Sequence, residues 1–145
     1  MTFTNDKGSK IMARVLLCYD DSREAVKALE FAKVVTDAED ELVLLWVVPP
    51  KDGWSTTSED TRSALSTASL RLESITRELR KEQIRAIGMV LEGMVAESII
   101  KTADDLNAKI IVIGYRGVQK VGSFALGSVA DQVSRKATHP VLIVK

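Results

Sequence analysis

Five short apolar runs punctuate the chain, and between them apolar residues recur at the spacing of a helix rather than that of a strand. Val15 to Tyr19 and Leu42 to Val48 are unbroken apolar stretches, which predicts strands covered on both faces. Asp20, Asp21 and Ser22 follow the first run, and Asp21 with Glu24 three positions on reads as a capping box, so a helix is expected from near Arg23 to about Asp37. Its inward face would carry Ala25, Leu29 and Ala32. Pro49 and Pro50 end the second run, Lys51 to Thr57 reads as a loop, and Leu65, Ala68, Leu72, Ile75 and Leu79 predict a long helix from Ser58. Ile84 to Leu91 is the third expected strand and Gly93 a turn. Val95, Ile99, Ala103 and Leu106 mark a third helix ending at Asn107, a residue that tolerates a left-handed cap. Lys109 to Ile113 and Val141 to Val144 are the last two strands, with a short helix beginning near Ser128 between them. Strand, helix, strand alternation with long crossovers predicts an open, doubly wound, five-stranded parallel α/β sheet.

The polar segment Met1 to Ala13 reads as a mobile arm outside a single domain over residues 14 to 145. Twenty Lys+Arg balance 20 Asp+Glu, which leaves no broad basic footprint and argues against a nucleic-acid partner. No apolar run reaches the ~18 residues needed to span a bilayer, so no membrane partner is expected. Cys18 is the single cysteine and lies within an apolar run, where it reads as packing; with no signal-like start, a cytoplasmic protein is the expectation. Nine Ser or Thr between Ser55 and Ser69 read as a solvated loop and helix face.

Ligands of doubly wound sheets lie beyond the carboxyl ends of the strands, where the strand order reverses. The loops to inspect are therefore Asp20, Asp21, Ser22 and the stretch from Gly114 to Gly127. The second reads Gly114, Tyr115, Arg116, Gly117, nine residues, Gly127 and Ser128. Glycines there let backbone N–H groups approach a ligand, and a helix N-terminus opening at Ser128 favours an anion. Ser128 with Asp131 also fits a capping box. Gly117, four residues, Gly122 and Ser123 lack the lysine of a P-loop, and no GxGxxG occurs.

Glycine, two residues, glycine, nine residues, glycine and serine is the nucleotide-binding signature of the universal stress protein family, which the chain resembles from about Arg14 to its end. Leu126 to Ala130 and His139 to Ile143 resemble that family's C-terminal third, and Val47 with Val48 its second strand end. The resemblance implies a flavodoxin-like or HUP-type domain with strand order 3-2-1-4-5 and, in the nucleotide-binding branch, ATP with Mg. It places Asp20 near the ribose and a nucleotide-bound Mg, and the Val47 backbone at the adenine. Gly114 and Gly117 would line the nucleoside and α-phosphate path, and Gly127, Ser128 and Val129 would receive the outer phosphates. Asp21, Ser22, Ile113, Arg116 and Ala130 complete the expected site, and a homodimer through Val141, Leu142, Ile143 and Val144 is implied.

Three positions depart from the pattern: Asp21 replaces a glycine, Trp46 a histidine, and Arg116 a residue that is often histidine. Asp21 facing phosphates at ~4 Å would oppose binding by about 1 to 4 kcal/mol, whereas as a helix cap it would face elsewhere. Arg116 and Lys120 read either as phosphate partners or as solvated loop charges. Asp20 is either a cap carboxylate or a nucleotide contact. His139, the only histidine, has no evident nucleophile to serve, and no metal-ligand cluster is visible. The expected function is an ATP-binding, nucleotide-responsive stress regulator with little or slow turnover. Its alternative is a dimeric interaction module of the same fold that binds no ATP or another small ligand.

Overall fold

The computed structural model describes residues 13–50, 59–116 and 126–145, together with the backbone of 3–4 and 10–11. Two short pieces of the expected arm, β1 (Phe3–Thr4) and β2 (Lys10–Ile11), pair antiparallel. Ala13, the last residue of that arm, is instead buried and accepts the Glu41 N–H at 2.9 Å; the rest of the arm lies outside the described residues, as does the loop after Pro50. The main sheet contains β3 (Arg14–Cys18), β4 (Glu41–Val48), β5 (Arg85–Glu92), β6 (Ile110–Gly114) and β7 (Val141–Val144). Its order is β5-β4-β3-β6-β7 with every pair parallel, which is 3-2-1-4-5 when the five strands are counted along the chain.

Helices α1 (Arg23–Val35) and α2 (Glu59–Lys81) cover one face, while α3 (Val95–Leu106) and α4 (Ser128–Lys136) cover the other. Alternate residues of each central strand divide between the two cores. Val15, Leu17, Leu42 and Leu44 meet Ala25, Ala28, Ala32, Leu72 and Leu79, whereas Leu16, Val43, Leu45 and Ile111 meet Ile99, Ala103, Ala130 and Val133. This two-sided burial is why the strands read as unbroken apolar runs. Each fully buried Leu or Ile contributes about 1.5 to 3 kcal/mol, so the central strands hold the cleft ends firmly.

Several boundaries shift from expectation by one or two residues, and three differences have a local reason. Helix α1 is capped by Ser22, whose Oγ accepts the Ala25 N–H at 3.1 Å, and not by Asp21, which sits at φ 61° outside the extended geometry a cap needs. The same helix stops at Val35, where Thr36 takes the cap position and its hydroxyl donates to the Ala32 carbonyl at 2.6 Å. Ile84 donates its N–H to Leu79 and so belongs to the closing turn of α2, leaving β5 to begin at Arg85. Asn107 does adopt the left-handed cap, at φ 48°.

Candidate functional site

From β3 the chain crosses to β4 on one side, and from β6 to β7 on the other, so a crevice opens at the carboxyl ends of β3 and β6. A cavity of about 480 Å³ occupies it. Asp20, Ser22, Val47, Ile113, Gly114, Arg116, Gly127, Ser128, Val129 and Ala130 all line this cavity. Gly117 and Lys120 lie outside the described residues.

Asp21 is the exception. Its carboxylate turns from the cavity and accepts the Tyr19 hydroxyl at 2.7 Å and the Arg71 Nε–H at 3.1 Å to each oxygen. The residue expected either to repel phosphate or to cap α1 does neither; an aspartate tolerates the left-handed backbone, and its charge is met by a guanidinium of α2. Burial first, then this hydrogen bond, pushes the Tyr19 hydroxyl up to about 12. Tyr19 also stacks edge-to-face on Trp46, with centroids 5.8 Å apart. Asp20 is not the cap of α1: one of its carboxylate oxygens accepts the Ser22 N–H at 3.1 Å, just ahead of the Ser22 cap, and its half-buried side chain borders the cavity.

The glycines serve the packing first. A Cβ on Gly114 would come within 2.8 Å of the Glu24 Cβ and 3.0 Å of its carbonyl carbon, so glycine here lets α1 lie against β6. A Cβ on Gly127 would meet the Arg116 Cα and the Tyr115 carbonyl oxygen at 3.2 Å. The Gly127 N–H donates to that same carbonyl at 2.9 Å, which closes the loop. Gly127 is itself the N-cap of α4 and has no side chain to satisfy the helix, so the Ser128 and Asp131 capping box does not form; the Asp131 carboxylate instead accepts from Arg135 at 2.9 Å. The first backbone bond of α4 runs from Asp131 N–H to the Gly127 carbonyl. The N–H groups of Ser128, Val129 and Ala130 precede it and have no partner within the helix. They border the cavity at the positive end of the helix dipole.

The walls between these polar ends are apolar and include residues that the sequence assigns to packing rather than to the site: Cys18, Leu45, Val95 and Ile99. Their signal was present as strand alternation, since Cys18 pairs in register with Leu45 and both share a face with Val47, and as the i, i+4 spacing of Val95 and Ile99 on α3. Burial, reinforced by the Asp20 charge, pushes the Cys18 thiol well above its ordinary value. His139 sits at the opposite end of the sheet, before β7, with Nδ1 2.8 Å from the Ala108 carbonyl and Nε2 3.1 Å from the Asp104 carboxylate. Among the described residues, no group of three or more His, Cys, Asp and Glu is placed to hold a metal, and no helix is long and apolar enough to cross a membrane.

A doubly wound α/β domain with an open site at its switch point is thus defined, one end of the site carrying a carboxylate and the other a helix N-terminus. The chain belongs to the universal stress protein family, whose model matches residues 12–145. A universal stress protein of Thermus aquaticus is 31% identical over 141 residues, covering 90% of this chain and 97% of that one. Universal stress protein MJ0577 of Methanocaldococcus jannaschii is 33% identical over 75 residues, a match spanning 52% of this chain but only 46% of that protein. In structure MJ0577 superposes with a TM-score of 0.81 at 28% identity, covering 93% of this chain and 97% of the other. The universal stress protein of Archaeoglobus fulgidus in complex with dAMP superposes at 0.67 and 28% identity, covering 93% and 98%.

Proposed function

We propose that the chain binds an adenine nucleotide, ATP with Mg, in the switch-point cavity and works as a nucleotide-responsive regulator with little or slow turnover. The observation that carries this is the uncapped start of α4 at the cavity, with the Ser128, Val129 and Ala130 N–H groups available to phosphate oxygens. The cavity volume lies in the range of small-molecule sites, and its apolar middle suits a base. A relative 28% identical to this chain has been solved with dAMP.

Asp20 is the only carboxylate among the described lining residues and Arg116 the only cation. One carboxylate suits a Mg ion that arrives with the phosphates, which would supply charge neutralisation and most of its own ligands. Arg116, which lines the cavity with its guanidinium 5.9 Å from the Tyr115 ring centroid, is the cation this reading assigns to the phosphate oxygens. Phosphate binding at Gly127 would use its neighbours' N–H groups, because its own is held by Tyr115. The apolar edge strand β7, with Val141, Leu142 and Ile143 partly exposed and Val144 buried, supports a homodimer through that strand, and a cytoplasmic setting fits the lone cysteine. The alternative, a dimeric interaction module of the same fold that binds no ATP or takes another small ligand, draws on the scarcity of cations among the described lining residues.

The test is mass spectrometry of nucleotides released from the purified protein, followed by calorimetric titration with ATP and Mg. Co-purified nucleotide or a saturable heat supports the reading. Neither one, from protein shown to be folded, overturns it. Sedimentation giving a monomer at micromolar concentration removes the dimer.

A further inference from the structure

Helix α2 does not line the cavity, yet one of its side chains is tied to the loop that does. Arg71 reaches from α2 to Asp21, its Nε–H shared between both carboxylate oxygens at 3.1 Å, and the Tyr19 hydroxyl donates to the same carboxylate at 2.7 Å. Tyr19 is almost wholly buried and packs edge-to-face against Trp46. The three groups therefore fasten the first bend after β3 at both ends, to the core and to a neighbouring helix. Tyr19 itself lines the cavity, and between the fastened residues lies Asp20, with Ser22 directly after them; these are the side chains that this loop brings to the cavity.

We propose that Arg71, Asp21 and the Tyr19 hydroxyl are positioning residues, a latch that holds Asp20 and Ser22 in the geometry the nucleotide requires. The latch rests on the nucleotide-binding reading but has its own signature in the free protein. The left-handed backbone at Asp21, φ 61°, is strained for most residues, and glycine adopts it freely, so Asp21→Gly deletes the latch while keeping the bend. Arg71 is about half exposed on α2, so Arg71→Met deletes it from the other side without opening the core. Burial and the Asp21 hydrogen bond together hold the Tyr19 ionisation high, which supplies a spectroscopic readout.

Three measurements on wild type, Asp21→Gly, Arg71→Met and the double variant test it: calorimetric titration with ATP and Mg, alkaline absorbance titration of tyrosine, and amide exchange at Ser22 and Ala25 without nucleotide. Each single variant is expected to weaken ATP binding by about threefold to tenfold, the size of a partly exposed ion pair plus a hydrogen bond, and the double variant no further. Tyr19 should ionise at lower pH in Asp21→Gly, and the two amides should exchange faster in every variant. Wild-type ATP affinity in either single variant, or additive losses in the double, overturns the proposal. Should wild type bind no nucleotide, the nucleotide reading falls by itself and the latch stands or falls on the amides: unchanged exchange in Asp21→Gly and Arg71→Met overturns it.

Discussion

Replacing Gly114 with alanine should destabilise the whole domain, although the residue lies in what reads as a ligand loop. The added methyl carbon would stand 2.8 Å from the Glu24 Cβ, 3.0 Å from its carbonyl carbon and 3.1 Å from its carbonyl oxygen. Carbon atoms rest at about 3.5 to 4.0 Å, so α1 would have to recede by roughly 0.7 Å or more. It has little slack for this. Its fully buried residues are Ala25, Ala28 and Ala32, which bring the helix close to the sheet and offer no rotamer to absorb the shift, and Ser22 pins its first turn. Overpacking of this kind costs about 1 to 3 kcal/mol, which for a domain of this size lowers Tm by roughly 3 to 10 °C. Urea and thermal unfolding followed by circular dichroism measure it, with Gly127→Ala as the comparison. That variant presses only on the Tyr115–Arg116 turn at 3.2 Å and should lose less. If Gly114→Ala unfolds within about 0.3 kcal/mol of wild type, α1 does not lie where the contact distances put it, and the packing account of this glycine is wrong.

Two further outcomes follow from single side chains. Burial and the Asp20 charge disfavour the Cys18 thiolate, so the native protein should react with a thiol reagent at pH 8 far more slowly than after unfolding in guanidinium; equal rates would contradict the environment described. Lys109, donating to the Asp37 carboxylate at 3.1 Å, holds that carboxyl below its ordinary range. A carboxyl depressed by folding adds stability above its unfolded value of about 3.9 and loses it as pH falls through the lower folded value, so Asp37→Asn should be less stable than wild type at pH 7 and converge with it in strong acid. A gap between the two that persists unchanged to pH 2 would refute the pairing.

Much of this molecule was legible because its central strands are buried on both sides. Continuous apolar runs, Pro49 and Pro50, and the helical spacing from Leu65 to Leu79 placed the elements to within a few residues, and the two ligand-end loops followed from the order of the elements. The site residues came together for the same reason: Asp20, Gly114 and Ser128 all lie at strand ends or at the helix start that faces them. What escaped was tertiary. Nothing local to Asp21 announces a partner 50 positions away on α2, and the capping boxes at Asp21 and Ser128 were defeated by a left-handed bend in one case and by Gly127 taking the cap position in the other. The apolar wall of Cys18, Leu45, Val95 and Ile99 was hidden in plain alternation, because a residue lining a cavity and a residue filling a core look alike in sequence.

The hydrogen bond from Gly127 to the Tyr115 carbonyl has a consequence for how such a chain can change over time. It joins the two ends of the intervening segment, so that residue 116 leaves from almost the place to which residue 126 returns. When the ends of a loop are already fastened, lengthening it adds little closure entropy, about 0.6 kcal/mol for each doubling. Insertions between these points would leave Gly114, the start of α4 and the strand register where they are. A reporter or epitope inserted between Gly122 and Leu126 is therefore expected to leave the described fold, and with it the unfolding midpoint, close to that of the parent chain.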